Sequence, residues 1–135
     1  MDKRKKELVA LKLERVREHL KDAKDFLAQK RYRPAVNRAY YAVFHMTTAL
    51  LLTRDVHRGK HSGVIAAFRE LYIKTKVLEP DYGRILGLAR ELREEADYAD
   101  EMKNLTPASA AALVADAERF VERIETYLRD SGALD

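Results

Sequence analysis

Arg38, Tyr41 and His45 share one stripe of a helix-forming segment. At about 100° per residue they fall within about 60° of one another, and Arg38 and His45 stand two turns apart. Between Pro34 and Thr53, Arg38 is the only formally charged side chain, and apolar residues run all round the axis. Such a segment belongs in the middle of a bundle. A buried guanidinium without a partner costs several kcal/mol, so an acidic or phosphate-like group must meet it. Asp97 and Glu94 are the acidic candidates. The plainer reading of Arg38, Tyr41 and His45 is a satisfied polar network in the core.

Two further groups carry chemistry. In RELREEADYAD, Arg93 and Asp97 are one helical turn apart and Tyr98 follows directly. This is either a local ion pair with a capping tyrosine or a site for an anionic ligand. In RDVHRGKHSG, His57, Arg58, Lys60 and His61 precede a helix, whose N-terminal partial charge adds to theirs, so an anion pocket fits better than a metal site. Asp55 is the one nearby carboxylate, which argues against a divalent cation. His19 reads as a surface residue, and Tyr40 and Tyr72 as core aromatics.

An Arg, His and Tyr constellation suits RNA cleavage without a metal. A base takes the 2′-hydroxyl proton while arginine stabilises charge developing on the phosphate. Tyrosine, with an ordinary pKa near 10, is a poor base but a good phosphate donor or a modifiable hydroxyl. No Walker loop, HExxH or Gly-x-Ser-x-Gly is present, so the commonest nucleotide-binding and hydrolase templates lack support.

These residues need helices to position them. Only 5 Gly and 3 Pro occur in 135 residues, which favours helices joined by short turns. Val9, Leu13, Val16, Leu20, Ala23 and Leu27 mark one face of a first helix over residues 5–30. Pro34 suits the first turn of a second, running to Thr53. Val64, Ile65, Phe68, Leu71 and Tyr72 mark a shorter third, with Ser62 as its N-cap. A fourth starts near Glu79–Asp81 and ends near Tyr98, with Tyr82, Ile85, Leu86, Ala89 and Ala96 inward. A fifth opens on Thr106 and Pro107 and turns Ala110, Leu113, Val114, Ala117, Phe120, Val121, Ile124 and Leu128 inward. The expectation is an all-α fold, an antiparallel up-and-down helical bundle of four long helices plus one shorter helix, with residues 1–135 as a single domain.

The chain contains no Cys, which excludes disulfides and thiolate chemistry. With no signal-peptide pattern and no apolar run of about 20 residues, a cytoplasmic protein without a membrane span is expected. The net charge of +4 is unevenly spread: residues 1–76 are strongly basic and the remainder acidic. A basic half can attract phosphate, or it can be a solvated face balanced by an acidic neighbour.

The segments NRAYYAVFHMTTALL, then KHSG opening a helix with AAF behind it, then REEADY and an Ala-rich last helix, resemble the HEPN superfamily. They are similar in particular to small prokaryotic HEPN proteins encoded beside a minimal nucleotidyltransferase. The resemblance spans residues 32–128. It implies a homodimer with paired motifs in a cleft, acting as a metal-independent endoribonuclease toxin without a cofactor, with the nucleotidyltransferase as antitoxin partner. The family motif is an arginine followed, after four to six residues, by a histidine. Arg93 matches the arginine, and Tyr98 stands where the histidine would be. This resembles a variant motif whose tyrosine is adenylylated by the partner enzyme. Arg38 and His45 meet the motif by spacing, on a different helix.

Arg93, Tyr98, His45 and Arg38 are therefore the candidate catalytic residues, with Tyr98 also the candidate modification site. Lys60, His61, Arg58 and Tyr41 are the candidate RNA or phosphate contacts, and no metal ligand is expected. The alternative is a non-catalytic helical subunit that binds nucleotide or RNA, or docks a nucleotidyltransferase.

Overall fold

The computed structural model describes residues 1–135, and all regular structure in it is helical. Helix α1 spans Lys3–Ala28, α2 Tyr32–Leu52, α3 His61–Phe68, α4 Pro80–Tyr98 and α5 Pro107–Asp130. Arg69–Ile73 continues α3 as a π turn, in which the Lys74 N–H reaches back to the Arg69 carbonyl at 2.8 Å. Four long helices and one short one are thus as the sequence predicts.

The helix ends follow local chemistry. Asp2 caps α1 by accepting from the Lys5 N–H at 2.8 Å. Thr106 and Ser109 exchange side-chain to backbone bonds at the start of α5, satisfying two N–H groups that the helix leaves free. Pro80 and Pro107 occupy first-turn positions where no donor is needed. Helix α3 departs from expectation: it begins at His61 after Lys60, so Ser62 lies inside the helix and is not its cap. Lys30, Asp55 and Lys76 each adopt a left-handed φ near +60° just past a helix, ending it without glycine.

Cross-helix pairs fix the directions. Lys6, Arg17 and Lys24 of α1 meet Asp135, Glu125 and Glu118 in descending order, so α1 and α5 are antiparallel. Glu79 and Asp81 of the α4 entry meet Arg123 and Arg119, reversing α4 against α5. His19 stacks on His45, and Lys12 reaches Thr48, reversing α1 against α2. The basic first helix and the acidic last one are neighbours, although these exposed pairs each contribute little stability.

Helix α2 packs against α1, α3, α4 and α5. This central place explains its all-round apolar sequence. Ala35, Val36, Ala39, Tyr40, Val43, Met46 and Leu50 are wholly buried, and Thr47, the one buried polar residue, donates to the Val43 carbonyl at 2.9 Å. Around it, Phe68 and Phe120 meet with ring centres 5.7 Å apart, and all eight apolar positions expected to face inward on α5 do so. No helix is long and apolar enough to cross a membrane.

Candidate functional site

Tyr40 and Tyr41 are consecutive on α2 and so point about 100° apart. Tyr40 faces the core and α3. Its hydroxyl lies 2.7 Å from His61 Nδ1. Burial pushes the Tyr40 phenol up to about 12, with Arg93 opposing that rise. Tyr40 therefore keeps its proton and donates it to His61 Nδ1, which leaves the His61 proton on Nε2. Burial, and then Arg93 and Arg90, hold the His61 pKa below its ordinary value. The ring is neutral at pH 7 and packs on Phe44 with centres 4.2 Å apart.

Tyr41 faces α4. Its hydroxyl accepts from Arg93 Nη2 at 3.0 Å. Arg93 Nε lies 2.9 Å from Asp97 Oδ2, an ion-pair contact off the N–H direction, so this buried N–H has no aligned acceptor. The guanidinium carbon sits 5.5, 5.6 and 5.8 Å from the ring centres of Tyr40, Tyr41 and Tyr98, a cation among three aromatic faces. Arg93 Nη1 makes no hydrogen bond within the chain. Tyr98, the last residue of α4, is 75% exposed. Arg93 is thus oriented from three sides and open on the fourth.

The structure corrects the expected surroundings of Arg38. It is half-buried and meets no carboxylate; Asp97 is taken by Arg93, and Glu94 pairs with Arg90. Arg38 Nη1 donates instead to Asn37 Oδ1 at 3.0 Å, while Asn37 Nδ2 donates to both Asp97 oxygens at 3.1 and 3.2 Å. Arg38 needs no buried acid because this stripe of α2 lies at the margin of the bundle, where its guanidinium is partly exposed to solvent. A side-chain chain results, Arg38 to Asn37 to Asp97 to Arg93 to Tyr41, that ties α2 to α4. Asn37 is a member that sequence reasoning missed; the available signal was the one amide in a mostly apolar helix.

Tyr41 and His45 are half-buried as well. With Arg15, His19 and Arg38 they line an open hollow of about 340 Å³ between α1 and α2. His19 is not a simple surface residue. It is half-buried and its ring stacks on His45 at 5.5 Å and 11°. Burial, then the charges of His19, Lys12, Arg15 and His61, push His45 down to about 4. Burial, then Arg38 and Arg15, lower His19.

The basic loop is divided. His61 joins Tyr40 and Arg93, whereas Arg58 donates to the His57 carbonyl and lines, with His57 and Lys12, a separate hollow of about 210 Å³. The Lys60 side chain is exposed and makes no hydrogen bond. No three His, Asp or Glu side chains converge as a metal site would require. What the geometry offers is a fixed guanidinium, a neutral imidazole N–H and the phenols of Tyr41 and Tyr98 around one surface, with Tyr40 buried beneath and holding His61, a set suited to a phosphate group.

Residues 9–127 match the HEPN domain, and the chain belongs to that family. It is 40% identical over 126 residues to a protein of Methanocaldococcus jannaschii whose name makes it a candidate toxin, covering 93% of this chain and 92% of that one. A second candidate toxin of the same organism is 32% identical over 124 residues, covering 92% and 83%. A UPF0332 protein of Thermotoga maritima is 37% identical over 116 residues, covering 86% and 87%.

Proposed function

We propose that this chain is a HEPN-type toxin, a metal-independent endoribonuclease acting as a homodimer in the cytoplasm and held in check by a partner minimal nucleotidyltransferase antitoxin. The names of the M. jannaschii relatives support the toxin reading. The observation that carries it is Arg93, held by Tyr41 and Asp97 beside His61 and Tyr98, with one guanidinium edge open. In this reading Arg93 binds the scissile phosphate and stabilises the charge that gathers on it. His61 donates Nε2–H to a phosphate oxygen, and Lys60 and Arg58 draw the strand in from the loop. Arg38 and His45 support the cleft from across Tyr41. The RNA 2′-oxygen gives up its proton to a base, bonds to phosphorus and expels the 5′-oxygen, which takes a proton. The products are a 2′,3′-cyclic phosphate and a 5′-hydroxyl. Tyr98, exposed at the end of α4, contacts the substrate and is the residue the partner adenylylates.

Expression of the chain alone should arrest growth, and Arg93→Ala should relieve the arrest without lowering the thermal midpoint by more than a few degrees. Purified protein should cut RNA in the presence of EDTA, leaving cyclic phosphate ends. Harmless expression together with intact RNA would reject the nuclease. The second reading, a non-catalytic subunit that binds RNA or nucleotide, or docks the nucleotidyltransferase, is favoured by one observation. Tyr98 replaces the motif histidine, and the two nearest imidazoles, His61 and His45, both have lowered pKa values that weaken them as bases. Incubation with the partner and ATP should add the mass of AMP at Tyr98, and an unmodified Tyr98 would remove that part of the proposal.

A further inference from the structure

A second hollow, of about 400 Å³, adjoins the one beside Tyr41 and shares Arg15 and His45 with it; Leu8, Leu11 and Lys12 complete its lining. Together they form a groove along the α1–α2 seam that ends at Tyr41, the residue that holds Arg93. Three cations line it and no acid does. Elsewhere most of the helical cations that meet another helix are matched to carboxylates, as Arg17, Lys24, Arg84, Arg119 and Arg123 are. Arg15 has no partner at all, Arg38 has only the Asn37 amide, and Lys12 has only Thr48 at 3.4 Å. The nearest acids to His19, Glu18 and Asp22, stand outside both hollows.

Between these cations lies the His19–His45 stack. Burial and the surrounding positive charge hold both rings neutral, so the stacked pair, with Tyr41 also stacked on His45, adds flat rings to the hollow and no further charge. Leu11, 56% exposed, adds an apolar edge beyond them. Cations spaced along a groove, with flat rings between them, are the features that recognise a single-stranded nucleic acid: charges for successive phosphates, rings for the bases. A folded protein partner would call for a broader apolar face than one exposed leucine, and a free phosphate would not use the rings.

We infer that the α1–α2 groove is a binding subsite for single-stranded RNA, with Arg15 and Arg38 holding phosphates, the His19–His45 pair receiving a base, and the strand leading over Tyr41 to Arg93. This rests on the RNA reading of the Arg93 site and gives it a direction along the molecule. It also gives Arg15 and Arg38 a common ligand.

The test uses the full chain and a fluorescein-labelled ten-nucleotide 2′-O-methyl RNA, which lacks the attacking hydroxyl and cannot be cut. Arg15→Ala/Arg38→Ala should weaken binding at least tenfold and flatten the dependence of log K on log salt by about 1 to 1.5, as two lost phosphate contacts require. His19→Ala should weaken binding about fivefold or more through lost stacking. Arg15→Lys/Arg38→Lys should stay within about threefold of wild type. Lys74→Ala/Lys76→Ala, which removes the same charge outside both hollows, should weaken binding less than twofold. Equal binding by wild type and Arg15→Ala/Arg38→Ala, or no binding by wild type, overturns the groove. Wild-type binding that is lost in the groove variants, with no cleavage of unmodified RNA, supports the groove while rejecting the nuclease.

Discussion

The stack at the α1–α2 seam predicts a particular acid sensitivity. His45 has a pKa lowered from 6.5 to about 4 because burial and the charges of His19, Lys12, Arg15 and His61 all disfavour its cation. Over that interval the unfolded chain carries a proton that the folded chain refuses. The resulting stability is complete above about pH 6.5, declines as pH falls and is gone below about pH 4. At about 1.4 kcal/mol per pH unit the full displacement corresponds to about 3 kcal/mol. His45 keeps part of its surface in water, and screening there leaves about 1–2 kcal/mol. The perturbation is His45→Gln, which fills similar space and never charges. Urea unfolding followed by circular dichroism, at pH 7.0 and pH 4.5, should show wild type losing about 1–2 kcal/mol more than His45→Gln on acidification. Carboxylates common to both proteins cancel in this difference. Equal losses, or an NMR titration placing His45 near 6.5, would refute the reasoning, and the neutral stacking platform with it.

Two smaller perturbations test neighbouring features. Tyr40→Phe removes the donor to His61 Nδ1; it should cost about 1 kcal/mol and change the His61 ring nitrogen shifts as the tautomer loses its anchor, so an unchanged ¹⁵N spectrum would contradict the assigned bond. Thr106→Ala breaks the reciprocal cap of α5 and should lower stability by about 1 kcal/mol, read by urea or thermal unfolding, with a neutral result excluding the cap as a contributor.

The periodic parts of this fold are visible in the sequence because burial imposes a period on a helix. The α5 stripe, the first-turn prolines and the Thr106 cap are local facts and are legible as such. The Arg93–Asp97 pair is equally local, one turn of one helix. What spacing does not show is which elements meet. That His61 comes to Tyr40, and Arg93 to Tyr41, depends on how α3 and α4 dock on α2 and against each other. The same holds for Arg38: its position in an apolar segment implies a buried acid, whereas its stripe faces the α1–α2 margin and solvent. His19 had a weak signal: it stands three residues after Val16 and next to Leu20, on the edge of the buried stripe of α1.

The π turn after α3 bears on how this chain can vary in length. Closing Lys74 N–H on the Arg69 carbonyl spans one residue more than an α-helical bond, so the segment holds one residue in excess of an α-helix between the same fixed points. Phe68 and Tyr72 remain seated in the core, 6.1 Å apart, and the surplus is taken up at exposed positions such as Glu70. On the facing helix, Gly83 and Gly87 lie against Ile73 and the Arg69 guanidinium at the two ends of the turn. A single-residue deletion here would restore ordinary α pitch. This turn is where the chain can lose one residue while Phe68 and Tyr72 keep their places in the core.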